Sequence, residues 1–286
     1  MTPPSLPRYQ GSLFDSARWA EVELRPGDVV LSTPPKCGTT WTLAMIYLAL
    51  HGPEVRFNRL SSVAPWVDFH GGDPDAPTRN AQPANGRRLF KTHTPLDGLP
   101  LAEGVAFVTV YRDPGESFLS MRRHLANMTV PPPGHPNRGA LKSAFDAFVS
   151  LPSNRVRFDG VTLSSVIHHL RCSEARAALR LHYAAMSHDP LAALRAIAEF
   201  IGITLAPDSQ QSIVETTRKD VMRRRAEHFA PEANTGLFKD DARFFSSREQ
   251  FSEHLVDTQR EMLLQRARIE LGAKPAAWLC QTEQAL

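Results

Sequence analysis

Cysteine is scarce in this chain: Cys37, Cys172 and Cys280 are the three in 286 residues, an odd number set far apart. That spacing argues against a disulfide framework and against a zinc site, and fits a reducing compartment. Long hydrophobic runs are missing as well. No stretch approaches the roughly 18 apolar residues of a membrane span, and Met1-Thr2-Pro3-Pro4-Ser5 lacks the basic-then-apolar order of a secretory signal. A cytoplasmic protein without a transmembrane segment is expected. Charge of one sign is lacking too: 33 Lys and Arg against 30 Asp and Glu give a net +3. This falls short of the dense basic face of a nucleic-acid binder and suits a small anionic ligand. No internal repeat is visible, and no metal-ligand cluster, so no metal is expected.

What is present is the composition of a folded protein, 42% hydrophobic and 22% charged, long enough to bury the core of a single domain across residues 1–286. Residues 28–33 read D-V-V-L-S-T between Pro26-Gly27 and Pro34-Pro35, the look of a buried parallel strand. After a short loop, Leu43, Ile46, Tyr47 and Leu50 recur at helical spacing, predicting an amphipathic helix to about Gly52. Residues 88–92 and 105–111 predict two more strands; Asp113 as N-cap and Pro114 as first helical residue start a helix after the latter. Residues 178–183 predict a fourth strand, followed by a helix opened at Asp189-Pro190 and stopped by Gly202, and a last helix over about 248–271. Strands alternating with helices imply an α/β fold with a central parallel sheet flanked by helices on both faces. The segments 71–88 and 128–138, rich in Pro, Gly, Asp and Asn, read as loops.

The strongest chemical signal is Ser32-Thr33-Pro34-Pro35-Lys36-Cys37-Gly38-Thr39-Thr40-Trp41, a turn between a buried strand and a helix start. Orphan N–H groups, the positive end of the helix dipole, two hydroxyls and one ammonium converge there, which is anion-binding architecture. The phosphate loop G-x-x-x-x-G-K-[ST] places Lys after the second Gly, whereas here Lys36 precedes Gly38 and the first Gly is missing. ATP or GTP use is therefore disfavoured.

With Lys91-Thr92-His93-Thr94-Pro95 and Tyr111-Arg112-Asp113-Pro114 leading to Ser120-Met121, the chain resembles the cytosolic-type sulfotransferase family, which uses 3′-phosphoadenosine-5′-phosphosulfate (PAPS). The resemblance covers about residues 28–121 and resumes over about 181–202, and looks closest to the actinobacterial branch. It implies a sulfotransferase fold with a nucleotide-binding core at about 28–125 and 178–245, and acceptor-side loops at about 60–88 and 126–160. It implies that Lys36 contacts the leaving phosphate, that Cys37, Gly38, Thr39 and Thr40 bind the 5′-phosphate, and that Trp41 and Tyr183 lie against adenine. It further implies that Arg112 and Ser120 hold the 3′-phosphate, with Thr216 added to the cofactor set. His93 is implied as general base, with Lys36 and Lys91 stabilising charge on the bridging oxygen, and the acceptor as a hydroxyl of a small molecule, carbohydrate or glycolipid. From the residues themselves, His93, the Lys36 loop and Arg112 all follow carboxyl ends of strands, where open α/β sheets place ligands.

Two departures stand out. Cys37 replaces the family's usual Ser, and is expected to be a spectator with a slightly acidified thiol. The family's basic, Gly-containing closing loop is shortened, and Arg248 or Arg243 is expected to stand in. Trp66, Phe69, Phe145 and Phe148 are expected to form an apolar acceptor wall. Two alternatives follow: a non-catalytic binder of 3′,5′-bisphosphonucleotides, and a small-molecule kinase with a variant phosphate loop, which would need a magnesium carboxylate.

Overall fold

The computed structural model, which describes residues 6–11, 13–70, 86–152, 162–245 and 252–282, pairs four short apolar runs into one sheet. These are β1 (Val29–Ser32), β2 (Leu89–Thr92), β3 (Ala106–Tyr111) and β4 (Ala178–His182), all parallel, in the order β2-β1-β3-β4. Register aligns the carboxyl ends: Ser32 pairs with Thr92, and Tyr111 with His182. After β1 the chain moves outward to β2, then crosses back to place β3 on β1's other side. That reversal opens a crevice beyond the carboxyl ends of β1 and β3.

The strands are apolar along most of their length because both faces are covered. Val29, Leu31, Val108 and Val110 face a layer containing α1 (Thr39–His51). Val30, Phe90 and Phe107 face Trp19, Leu96 and Leu99. The expected amphipathic character of α1 is not what forms: it is buried without a break from Thr42 to Leu50, so it runs through the core. On the far side, Tyr111 packs with α2 (Pro114–Asn127), α3 (Leu141–Ser150) and α4 (Leu163–Glu174).

The expected start of α2 forms as read. The Asp113 carboxylate accepts from the Glu116 N–H at 2.9 Å and Pro114 occupies the first turn, an arrangement that contributes roughly 0.5–2 kcal/mol. β4 hands over at once to α5 (Tyr183–His188), so Tyr183 opens a helix rather than closing the strand. Then come α6 (Pro190–Phe200), α7 (Pro207–Thr216), α8 (Asp257–Leu271) and α9 (Ala273–Leu279). The last long helix therefore begins later than expected. Residues 252–256 are not helical, and the Gln259 side chain accepts from the Val256 N–H at 3.1 Å, fixing the start there. Leu255 and Leu263 are buried as the pattern required, Met262 is 49% exposed, and Phe251 lies outside the described residues.

Candidate active site

β1 delivers the chain to the Lys36 loop at the sheet's carboxyl edge. Both Lys36 (φ 66°) and Gly38 (φ 105°) adopt left-handed backbone; for a lysine this costs on the order of 1 kcal/mol and marks a constrained turn. At Gly38 a Cβ would lie 2.8 Å from the Tyr183 ring, so both φ and space demand glycine. Gly38 caps α1 without any side-chain hydrogen bond, leaving the first-turn N–H groups no side-chain acceptor from the cap. The Thr33 and Thr39 hydroxyls, 2.6 Å apart, tie the loop's two ends together.

The loop opens onto a cavity of ≈ 1010 Å³. Lys36, Gly38, Thr39, Thr40 and Trp41 line it from β1 and α1; Lys91 and His93 from the end of β2; Arg112, Ser120 and Tyr183 from β3, α2 and α5. Arg112 sits over the Tyr183 ring at 4.3 Å, with its Nη2 3.9 Å from Glu116. Tyr183 meets Trp41 edge to face at 5.6 Å. One corner thus combines a cation with two aromatic faces.

His93 is 8% exposed and its Nδ1 lies 2.7 Å from the Thr33 carbonyl. A carbonyl only accepts, so Nδ1 carries the proton and Nε2 keeps its lone pair. Burial first, then the neighbouring Lys91 charge, hold the imidazole well below its ordinary pKa, so it is neutral at pH 7. The residues flanking it are gripped from beneath: the Thr92 and Thr94 hydroxyls both donate to Asp68 Oδ2 at 2.5 Å.

Lys36 and Lys91 touch the cavity but lie deep below the outer surface. Burial, then the charges of Lys91 and Arg112, lower Lys36 to about 7. Burial likewise lowers Lys91 to about 8. Lys36 Nζ lies 3.3 Å from His124 Nδ1 and 4.1 Å above Phe244; Lys91 Nζ lies 4.1 Å above Trp66. Ammonium groups so desolvated gain most from an arriving anion.

Several expectations need correction. Cys37 is fully buried, its sulfur 3.8 Å from the Pro35 carbonyl, and burial pushes its thiol up to about 12; desolvation outweighs the helix terminus, so the thiol is the reverse of acidified. Thr216 is not in the cavity wall, which takes Thr217, Arg218 and Lys219 instead. Arg243 is not in the wall either, and Arg248 lies outside the described residues. Trp66 and Phe69 do line the cavity, stacked at 4.8 Å and 18°. Phe145 and Phe148 instead pack on Phe118 at 5.9 and 5.0 Å, inside the core under α2.

Sequence reasoning missed Phe14, Arg123, His124, Phe238 and Phe244, all in the wall. For His124 a signal existed, since Glu116, Ser120 and His124 recur every four residues along α2 and so share one face. His124 is held well below its ordinary pKa by burial, then by Lys36. Phe14, Phe238 and Phe244 come from segments with no local pattern.

Known proteins resemble this chain in sequence and in fold. A glycolipid sulfotransferase of Mycobacterium bovis (strain BCG / Pasteur 1173P2) is 30% identical over 269 residues, covering 83% of this chain and 82% of its own length. The cytosolic sulfotransferase 17 of Arabidopsis thaliana is 28% identical over 210 residues, 68% of this chain and 58% of its own. A mouse sulfotransferase solved in complex with PAP shares the fold with a TM-score of 0.66 at 17% identity, covering 98% of this chain and 94% of that one. The sulfotransferase domain family matches residues 26–263, which sets the kinase alternative aside: the chain belongs to the sulfotransferase domain family.

Proposed function

We propose that this sulfotransferase uses PAPS as donor and a hydroxyl of an amphipathic, glycolipid-like molecule as acceptor. The observation that carries the donor is the cluster of the desolvated Lys36 and Lys91 ammonium groups with the Arg112 guanidinium, around a Gly38 turn that no side chain can fill. A nucleotide bearing phosphates at both ends fits that distribution, with Arg112 and Ser120 for the 3′-phosphate and the Lys36 loop for the 5′-phosphate. Trp41 and Tyr183 offer ring faces to the base. Solved proteins of this fold in complex with PAP support the reading. The acceptor rests on the apolar Phe14, Trp66 and Phe69 wall beside His93, and on the mycobacterial relatives named glycolipid sulfotransferase.

PAPS, when bound, supplies the sulfuryl group and a good leaving phosphate. His93 Nε2 accepts the acceptor hydroxyl's proton, with its Nδ1–H fixed on Thr33 so that the ring cannot turn. Lys36 Nζ donates toward the bridging oxygen, where negative charge grows as the sulfur–oxygen bond breaks. Lys91, held between Trp66 and the end of β2, adds positive potential to the same space. The base is neutral before the reaction, because burial first and then the Lys91 charge disfavour its imidazolium.

The experiment is calorimetric titration with adenosine 3′,5′-bisphosphate against AMP and ATP. Micromolar or tighter binding that requires the 3′-phosphate is expected. No preference over AMP would refute the donor, and retained preference without transfer to any of a wide acceptor panel would favour the non-catalytic alternative.

A further inference from the structure

Away from the cavity, the fold brings together three metal-ligating side chains that the cysteine spacing gave no reason to connect. Asp97 lies on the short turn Leu96–Gly98 after the His93 segment; His168 and Cys172 lie four apart on one face of α4. One ligand atom from each falls within 4.8 Å of the others. His168 Nε2 is 3.5 Å from Cys172 Sγ and 3.9 Å from Asp97 Oδ2. Bonds of about 2.0–2.3 Å in a tetrahedral zinc site imply ligand–ligand edges of about 3.3–3.8 Å. The His168–Cys172 distance falls within that range, and the His168–Asp97 distance is wider than its edge by about half an ångström, a gap that a small movement of the Asp97 turn closes.

The surroundings hold the ligands in place. Tyr9, fully buried, places its hydroxyl 2.7–2.8 Å from both Asp97 oxygens and 2.7 Å from His168 Nε2. It holds the carboxylate and imidazole in place as an outer-shell partner does, and is close enough to complete the set itself. Gly98 lets that ring approach: a Cβ there would meet the Tyr9 ring at 2.7 Å. The Arg176 guanidinium lies close enough to Asp97 and Cys172 to interact electrostatically with both. All three ligands are partly exposed, so an ion has a path in. One carboxylate, one imidazole and one thiolate select zinc over the hard cations calcium and magnesium.

We propose that Asp97, His168 and Cys172, with Tyr9 beside them, form a zinc site separate from the transferase centre. Binding replaces the His168–Tyr9 hydrogen bond and the thiol proton with metal bonds, releasing protons. It fastens α4 to the turn that follows His93 and to the N-terminal segment carrying Tyr9.

The test uses the chelator-treated full chain, titrated with Zn²⁺ under elemental analysis and with Co²⁺ followed by absorbance. One zinc per chain is expected, with cobalt giving tetrahedral d–d bands and a thiolate charge-transfer band. Cys172→Ala should abolish the thiolate band, and Cys172→Ala and His168→Ala should each weaken zinc by more than about 100-fold, beyond the 10–100-fold of an outer-shell loss. Cys280→Ala should leave both signals intact. Absence of stoichiometric zinc in the wild-type chain, or a thiolate band that survives Cys172→Ala, overturns the proposal. Neither outcome depends on transferase activity.

Discussion

The two walls of the cavity are built in different ways. The proposed nucleotide wall takes its groups from positions at or just past the carboxyl ends of β1, β2 and β3: Lys36, His93, Arg112. The proposed acceptor wall gathers Phe14 from the N-terminal segment and Trp66 and Phe69 from the segment before β2. Phe14 reaches it through an isolated bridge to Phe69, and Trp66 through a bridge to Lys91 on β2. Sheet topology therefore fixes the first wall, while the second depends on how loops fall against its edge. On the proposed reading, donor chemistry is tied to the fold and acceptor choice is separable from it.

The sharpest way to break that division is at His93, which borders both walls. His93→Ala is expected to lower turnover by about 10²–10⁴ while leaving affinity for adenosine 3′,5′-bisphosphate nearly unchanged, because a general base acts in the transition state. Single-turnover kinetics beside calorimetry check it. Near-normal turnover would move the base elsewhere, with His124 the next imidazole in the wall.

Arg112→Ala should act on the nucleotide wall alone. A loss of roughly 2–5 kcal/mol is expected for nucleotides with a 3′-phosphate and almost none for those without, since a buried phosphate would lose its cation. Equal losses for both would show that Arg112 serves the wall through its contact with the Tyr183 ring.

How legible was this from the sequence? The strand–loop–helix at Lys36 was, because an anion loop needs a buried strand, a glycine and a helix start in consecutive positions. Asp113-Pro114 was, because capping is local. What failed was non-local. Thr216 and Thr217 differ by one position on the last turn of a helix, which swings a side chain about 100° and out of the cavity. Phe145 and Phe148 were apolar on a helix near the expected acceptor side, but only packing against Phe118 tells which way that helix turns. Cys37 looked acidified because it adjoins a helix N-terminus; its burial, which decides the sign, is invisible in a string of residues. His168 and Cys172 are four apart on one helix face, but nothing in the sequence joins that pair to Asp97, about seventy residues earlier.

The charge on Lys36 gives a prediction intermediate in size. With its ammonium lowered to about 7 in the free protein, a bound anion must raise that pKa. Nucleotide affinity is then fullest below pH 7 and falls as pH rises, by up to about tenfold per unit, until the bound-state pKa is reached. Lys91, at about 8, adds a later decline. Calorimetry across pH 6–9 reads both, and Lys36→Arg, whose guanidinium keeps its proton throughout, should flatten the first decline.

The smallest effect is expected on the acceptor wall. Trp66 stacks on Phe69 and meets the His93 ring at 5.0 Å, so it presents an aromatic face beside the base. Trp66→Leu keeps apolar bulk against β2 but removes that face, and with it about 0.5–1.5 kcal/mol of ring contact. Acceptor KM should rise by about two- to tenfold, with nucleotide affinity unaltered. A change confined to the nucleotide would mean that Trp66 acts through Lys91, 4.1 Å from its ring, and the two walls would then share the edge of β2 as a single electrostatic unit.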